Sequence, residues 1–131
     1  MADMDKIKKE MLEKNIWAVV GATPNEEKFG NKIYKKLKEY DYKVYPVNPN
    51  YDVIEGDRVY GDLKALPEKP DCINMVVPAK ITNATLDVIK ELGIKYVWLQ
   101  PGTFDENTID KAEAYNLKFV FFDCILVALD Q

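Results

Sequence analysis

Histidine is missing altogether from the 131 residues, and its absence excludes whole classes of chemistry. Ser-His-Asp and Cys-His nucleophiles, imidazole acid-base catalysis, phosphohistidine relays and the common histidine-bearing metal sites all go with it. Arginine is nearly missing too. Arg58 stands alone, so a bidentate fork for carboxylate or phosphate has at most one owner. Cysteine is limited to Cys72 and Cys124, without a CxxC spacing, the pattern of two reduced thiols in a cytosolic protein with one in the core. Long apolar runs are lacking: residues 119–122 and then 125–129 are far too short to cross a bilayer. The start, Met1-Ala2-Asp3-Met4-Asp5-Lys6, has no signal-peptide core. Positive charge is in deficit as well. With a formal net charge of −4 and a pI near 4.9, no general basic field exists to hold nucleic acid or an anionic membrane. The expected location is the cytoplasm.

What is present is ordinary globular material, 47% hydrophobic and 31% charged, with the charges spread along the chain. No repeat or linker divides it, so a single domain over 1–131 is expected. An N-terminal helix is read within 1–14, where Met4, Ile7 and Met11 recur at helical spacing. Ile16-Trp17-Ala18-Val19-Val20 is apolar without alternation, the mark of a strand buried on both faces. A helix is predicted over 28–40, and a second strand over Lys43-Val44-Tyr45-Pro46-Val47. Residues 51–70 read as irregular, with a short strand near Val59. A third main strand covers 72–77 and stops at Pro78. The next helix, 80–92, closes on Gly93 as a left-handed cap. A fourth strand covers 95–99. After the turn Gln100-Pro101-Gly102, Asp105 or Thr103 caps a helix to about Tyr115, with Asn116 in the place of a terminal glycine. The fifth strand covers 118–122 and puts Cys124 at its end, and the last residues cover an edge or extend the sheet.

Strands separated by helices of this length imply right-handed βαβ crossovers. The expected fold is therefore α/β: a Rossmann-like doubly wound sheet of about five parallel strands with helices on both faces. In such sheets ligands bind beyond the carboxyl ends of the strands, where strand order reverses. That points to loops 21–28, 48–51, 78–80, 100–102 and 123–124.

The first of these carries the clearest signal. Gly21 permits a sharp exit and close approach of a ligand, Thr23 offers a hydroxyl, and Lys28 brings a positive charge to the start of a helix whose first N–H groups are free. Gly30 lets that helix lie close to the strand. The GxGxxG and GxxxxGK[ST] phosphate motifs are both absent. After the second strand come Val47, Asn48 and Pro49, with no acid before Asp52. NAD enzymes place Asp or Glu at this point to hold the ribose hydroxyls, whereas a neutral Asn does not repel a phosphorylated ribose.

Taken in order, these segments resemble the CoA-binding-domain family, the small stand-alone relatives of the nucleotide-binding domain of the succinyl-CoA synthetase alpha subunit. The resemblance runs through Val20-Gly21-Ala22-Thr23 with Lys28 and Gly30, Val44-Tyr45-Pro46-Val47-Asn48-Pro49, and Gly56 with Val59-Tyr60. It continues through Asp71 with Val76-Val77-Pro78, Val97-Trp98-Leu99-Gln100-Pro101-Gly102, and Asp123-Cys124. It covers roughly residues 15–126, and the order and spacing of the pieces are specific together. Several members carry Ser where this chain has Thr23, which keeps the hydroxyl.

The resemblance implies a non-covalent site for coenzyme A or an acyl-CoA. Gly21, Ala22, Thr23 and Lys28 would hold the diphosphate, and Val47, Asn48 and Pro49 would flank the adenosine. Val77, Pro78, Gln100, Pro101 and Gly102 would line the pantetheine path. The synthetase's phosphohistidine catalysis does not carry over, because this chain has no histidine. No intrinsic enzyme activity is expected, with Cys124 the one thiol near the ligand edge. The competing readings are an NAD(P)-binding redox module on the same fold and a non-catalytic subunit of an acyl-CoA enzyme. A homo-oligomer or an enzyme partner is compatible with either.

Overall fold

The computed structural model describes residues 4–121 and 123–130. In chain order it contains α1 (Met4–Leu12), β1 (Ile16–Val20), α2 (Phe29–Glu39), β2 (Lys43–Val47), β3 (Val53–Ile54), β4 (Asp57–Arg58), β5 (Cys72–Met75), α3 (Ala79–Leu92), β6 (Tyr96–Leu99), α4 (Glu106–Ala114), β7 (Lys118–Phe121) and α5 (Ile125–Leu129). Five strands form one parallel sheet in the order β2-β1-β5-β6-β7. The Rossmann-like doubly wound reading holds. Successive crossovers run one way from β1 to β2 and the other way from β5 through β7, so right-handed connections send their helices to opposite faces.

The first strand shows how the sequence encodes two layers. Trp17 and Val19 enter one core with Ile7, Met11, Ile33, Tyr34, Leu37 and Trp98. Ala18 and Val20 enter the other with Leu86 and Ile89 of α3 and Ala112 of α4. Both faces are covered, so the strand does not alternate with polar residues. The helix ends follow their local chemistry. Asp105 accepts from the Thr108 N–H in a reciprocal capping box, and Gly93 (φ 76°) and Asn116 (φ 57°) supply the left-handed residues after α3 and α4.

Two expectations need refinement. The short strand expected near Val59 is present as β4, Asp57–Arg58, and Val59 just past it is a buried core residue. The segment before it is a small antiparallel hairpin, β3 to β4, turned by Glu55 (φ 49°) and Gly56 (φ 79°). Two consecutive positive φ values are what a two-residue turn between right-twisted strands demands. Ile54 anchors the hairpin in the core, and Tyr34 Oη donates to the Asp57 carboxylate above it. Beyond the hairpin, Tyr60 pairs in parallel with Val47. Its N–H donates to Pro46 O at 3.0 Å, and its carbonyl accepts from Asn48 N at 2.9 Å. Pro46 therefore sits where its missing N–H would face away from β1, and no ladder bond is lost.

The second correction concerns Cys124. It is the residue that precedes α5, with extended backbone (φ −88°, ψ 127°), and not the end of a strand. The last strand is described to Phe121, and Phe122 falls outside the described residues. The C-terminal residues do cover the sheet, as helix α5 with Ile125 in the first core layer. No helix among the described residues is long and apolar enough to cross a membrane.

Candidate functional site

Strand order reverses between β1 and β5, and the chain there is built for close approach. Gly21 leaves β1 at φ 104°, and a Cβ on it would lie 2.6 Å from the Val76 carbonyl oxygen. Its N–H donates to Val47 O at 2.9 Å, which ties the loop to β2. Gly30, in the first turn of α2, faces the same loop; a Cβ there would lie 2.2 Å from Gly21 O. Only glycine fits at either position.

Amide side chains lock the loop from beneath. Asn31 Nδ2, buried in α2, donates to Thr23 O at 3.0 Å. Asn48 Nδ2 donates to Ala22 O at 2.9 Å, while its Oδ1 accepts from Asn50 N at 2.9 Å. Asn48 thus braces the first loop against the second, a role that the ribose argument did not anticipate. Asn31 was missed altogether. Its one signal in the sequence is an amide standing between Gly30 and Ile33 on the apolar stripe of a helix. Lys28 is exposed and immediately precedes α2, with extended backbone and no side-chain cap. The N–H groups of Phe29 and Gly30 have no acceptor inside the helix and add to its positive end.

Two hollows meet at this point. The smaller, about 380 Å³ and open, is lined by Gly21, Thr23, Lys28, Phe29, Gly30, Asn48, Asn50, Tyr51 and Val76. Among the described residues Lys28 is the one charged side chain in its wall. The larger, about 430 Å³, lies between Val47, Asn48 and Pro49 on one side and Val76, Val77, Pro78 and Ile81 on the other. Leu63, Thr85 and Val88 extend its wall, with Asp62 the only charged residue there among the described residues. Asp62 already accepts from Ala65 N at 3.0 Å. A cationic, donor-rich shelf thus opens beside an apolar slot, an arrangement suited to a ligand with an anionic middle and an apolar end.

Eight of the residues read from sequence come together in the two walls: Gly21, Thr23, Lys28, Val47, Asn48, Pro49, Val77 and Pro78. Ala22 is fully buried and shapes the loop from below. Gln100, Pro101 and Gly102 line neither hollow. The Gln100 side chain is a brace: its Nε2 donates to Cys124 Sγ at 3.3 Å and its Oε1 accepts from Ile125 N at 2.9 Å. Leu63 comes from a separate segment and Ile81, Thr85 and Val88 from one face of α3 beyond Pro78, and none of the four was read from the sequence as part of the slot.

Burial, with the neighbouring Asp71 charge adding to it, pushes the Cys72 thiol well above the usual thiol range, so it is not a nucleophile at neutral pH. Among the described residues no group of three or more His, Cys, Asp or Glu is placed to hold a metal ion.

Residues 15–130 match the family described as "CoA binding domain". The chain is 32% identical over 118 residues to ADP-forming acetate–CoA ligase I of Archaeoglobus fulgidus, covering 82% of this chain and 17% of that protein. It is 31% identical over 119 residues to the alpha subunit of ADP-forming acetate–CoA ligase II of Pyrococcus furiosus, covering 82% of this chain and 26% of that one. The chain therefore spans about a quarter or less of these curated relatives. Among solved structures, a conserved hypothetical protein from Pyrococcus furiosus superposes with a TM-score of 0.83 at 38% identity, covering 87% of this chain and 98% of that one. A hypothetical protein from Pyrococcus horikoshii OT3 gives 0.90 at 29% identity, covering 98% and 91%.

Proposed function

Because the chain belongs to the CoA-binding-domain family, we propose that it binds coenzyme A or an acyl-CoA non-covalently across the carboxyl edge of its sheet, without catalysis of its own. The observation that carries this reading is the junction of the Lys28 shelf with the apolar slot at the reversal of strand order. The diphosphate lies on the shelf, against Gly21, Thr23, Lys28 and the first N–H groups of α2. The adenosine sits beside Val47, Asn48 and Pro49. The pantetheine arm follows Val77 and Pro78 toward the Gln100-Pro101-Gly102 turn. The relatives' ligase names, and the small share of their length that this chain spans, support a CoA-holding module that serves an enzyme partner. An NAD(P) redox module is the weaker alternative, since Asn48, not an acid, follows β2 and its amide is already committed to Ala22 O.

CoA is expected to raise the melting temperature more than NAD, NADP or ATP at equal concentration. A ligand that binds only the folded state stabilises it by mass action, about 2.7 kcal/mol at a hundredfold excess over Kd. Equal or larger stabilisation by NAD would overturn the proposal. Incubation with acetyl-CoA and succinyl-CoA should release free thiol only at the background rate, because no activated nucleophile and base are paired at the site. Release well above background that vanishes in Cys124→Ser would make the chain an enzyme and Cys124 its nucleophile.

A further inference from the structure

Arg58 ends β4 three residues before Gly61, the first residue of the segment that walls the slot. Three cations fall between residues 43 and 64. Lys43 is paired with Glu68, and Lys64 with Glu91 at 3.0 Å. Arg58, among the described residues, has no carboxylate in salt-bridge reach, although it is the side chain best shaped for one. Its guanidinium carbon lies over the Tyr60 ring, 5.0 Å from the centroid. Tyr60 is itself fixed. Its backbone is bonded to Pro46 and Asn48, and its ring meets Tyr45 edge-on at 5.8 Å.

The chain thus places its one guanidinium on an aromatic ring whose own backbone is bonded to Pro46 and Asn48 at the end of β2. A contact over a ring face uses the cation's charge but consumes none of its N–H donors. Those donors remain for an anion, and a phosphate accepts two of them in parallel. Among the described residues that line the slot the only acid is Asp62, and it is held by its cap to Ala65.

We infer that Arg58 binds the 3′-phosphate on the ribose of CoA and so selects CoA over dephospho-CoA. The inference rests on the proposed CoA site with its adenosine beside Val47, Asn48 and Pro49. It adds a residue and a discrimination that this site does not require. Lys28 serves the diphosphate, which both ligands carry, whereas Arg58 serves the one group that they do not share.

The test is calorimetry with CoA and with dephospho-CoA, on the wild type and on Arg58→Met. The methionine keeps an unbranched apolar stem over the Tyr60 ring and removes only the charge and the donors. Wild type is expected to bind CoA about 10- to 100-fold more tightly than dephospho-CoA, the scale of charge-assisted hydrogen bonds to phosphate. Arg58→Met should lose that preference through weaker CoA binding, with its affinity for dephospho-CoA unchanged. Equal affinities in the wild type overturn the inference without any variant. So does a preference that survives in Arg58→Met, or a variant that weakens both ligands alike. In each of those cases CoA binding itself stands. A wild type that binds neither ligand refutes the CoA site and Arg58's role together.

Discussion

Gly30→Ala is expected to destabilise the protein by about 3 kcal/mol and to weaken CoA binding with it. The added Cβ would lie 2.2 Å from Gly21 O and 3.3 Å from the Ala22 Cα. Both are backbone atoms, so no rotamer change relieves the clash; α2 must move off the loop or the loop must rise. Overpacking of this kind costs about 1–3 kcal/mol, and rigid backbone on the receiving side puts this case at the upper end. Against a typical total of about 5–15 kcal/mol the loss is large. The cause is space alone, because Gly30 does not need a positive φ. Gly61→Ala is the matching control: a Cβ there meets nothing within 4 Å, and its stability should stay within about 0.5 kcal/mol of wild type. Denaturant midpoints for both variants, with CoA calorimetry on Gly30→Ala, check the pair. A Gly30→Ala protein as stable as wild type would show that the close approach is not what seats α2.

Trp98→Ala should cost about 3–5 kcal/mol, the range for removing a buried Trp and leaving a cavity. Trp98 is fully buried in β6, and its Nε1 donates to Asp123 O at 2.8 Å. The ring therefore fills the first core layer and also holds the segment that leads into α5. Trp98→Phe separates the two roles. It keeps most of the apolar volume and loses the bond to Asp123, so about 1 kcal/mol is expected. Equal losses in the two variants would mean that the hydrogen bond, and not the packing, carries Trp98's contribution.

The sheet and its order of elements were legible because buried strands and amphipathic helices leave strong periodicities. Ile16–Val20 has no polar position to spare, and the helix ends carried their own caps at Gly93, Asp105 and Asn116. The β3–β4 hairpin was harder to read. Each of its strands is two residues long, too short for any alternation to register, and its turn places Glu55 at positive φ, where Asn or Asp is the usual signal. Cys124 was misplaced for a related reason: apolar residues continue through Ile125–Leu129, and a run of that kind does not show where a strand gives way to a short helix. At the site, Gly21, Lys28 and Asn48 announced themselves by residue type and by position in a loop. The resemblance places Gln100 on the pantetheine path through its backbone; its side-chain amide is bonded to Cys124 and Ile125, 24 and 25 positions away, and no local pattern records such tertiary bonds.

The pairing of Tyr60 with the end of β2 has one more consequence, for the protein's behaviour in a crowded solution. An outer strand with a row of free N–H and C=O groups is a template on which another chain can add its own strand. Along the outward side of β2, the Pro46 carbonyl and the Asn48 N–H are already taken by Tyr60, and Pro46 has no N–H to offer. Lys43 adds a charged side chain at the other end of the strand. An incoming strand would find no consecutive set of partners on this edge, so the sheet is closed there against fibre-like growth by the same residue that supports Arg58.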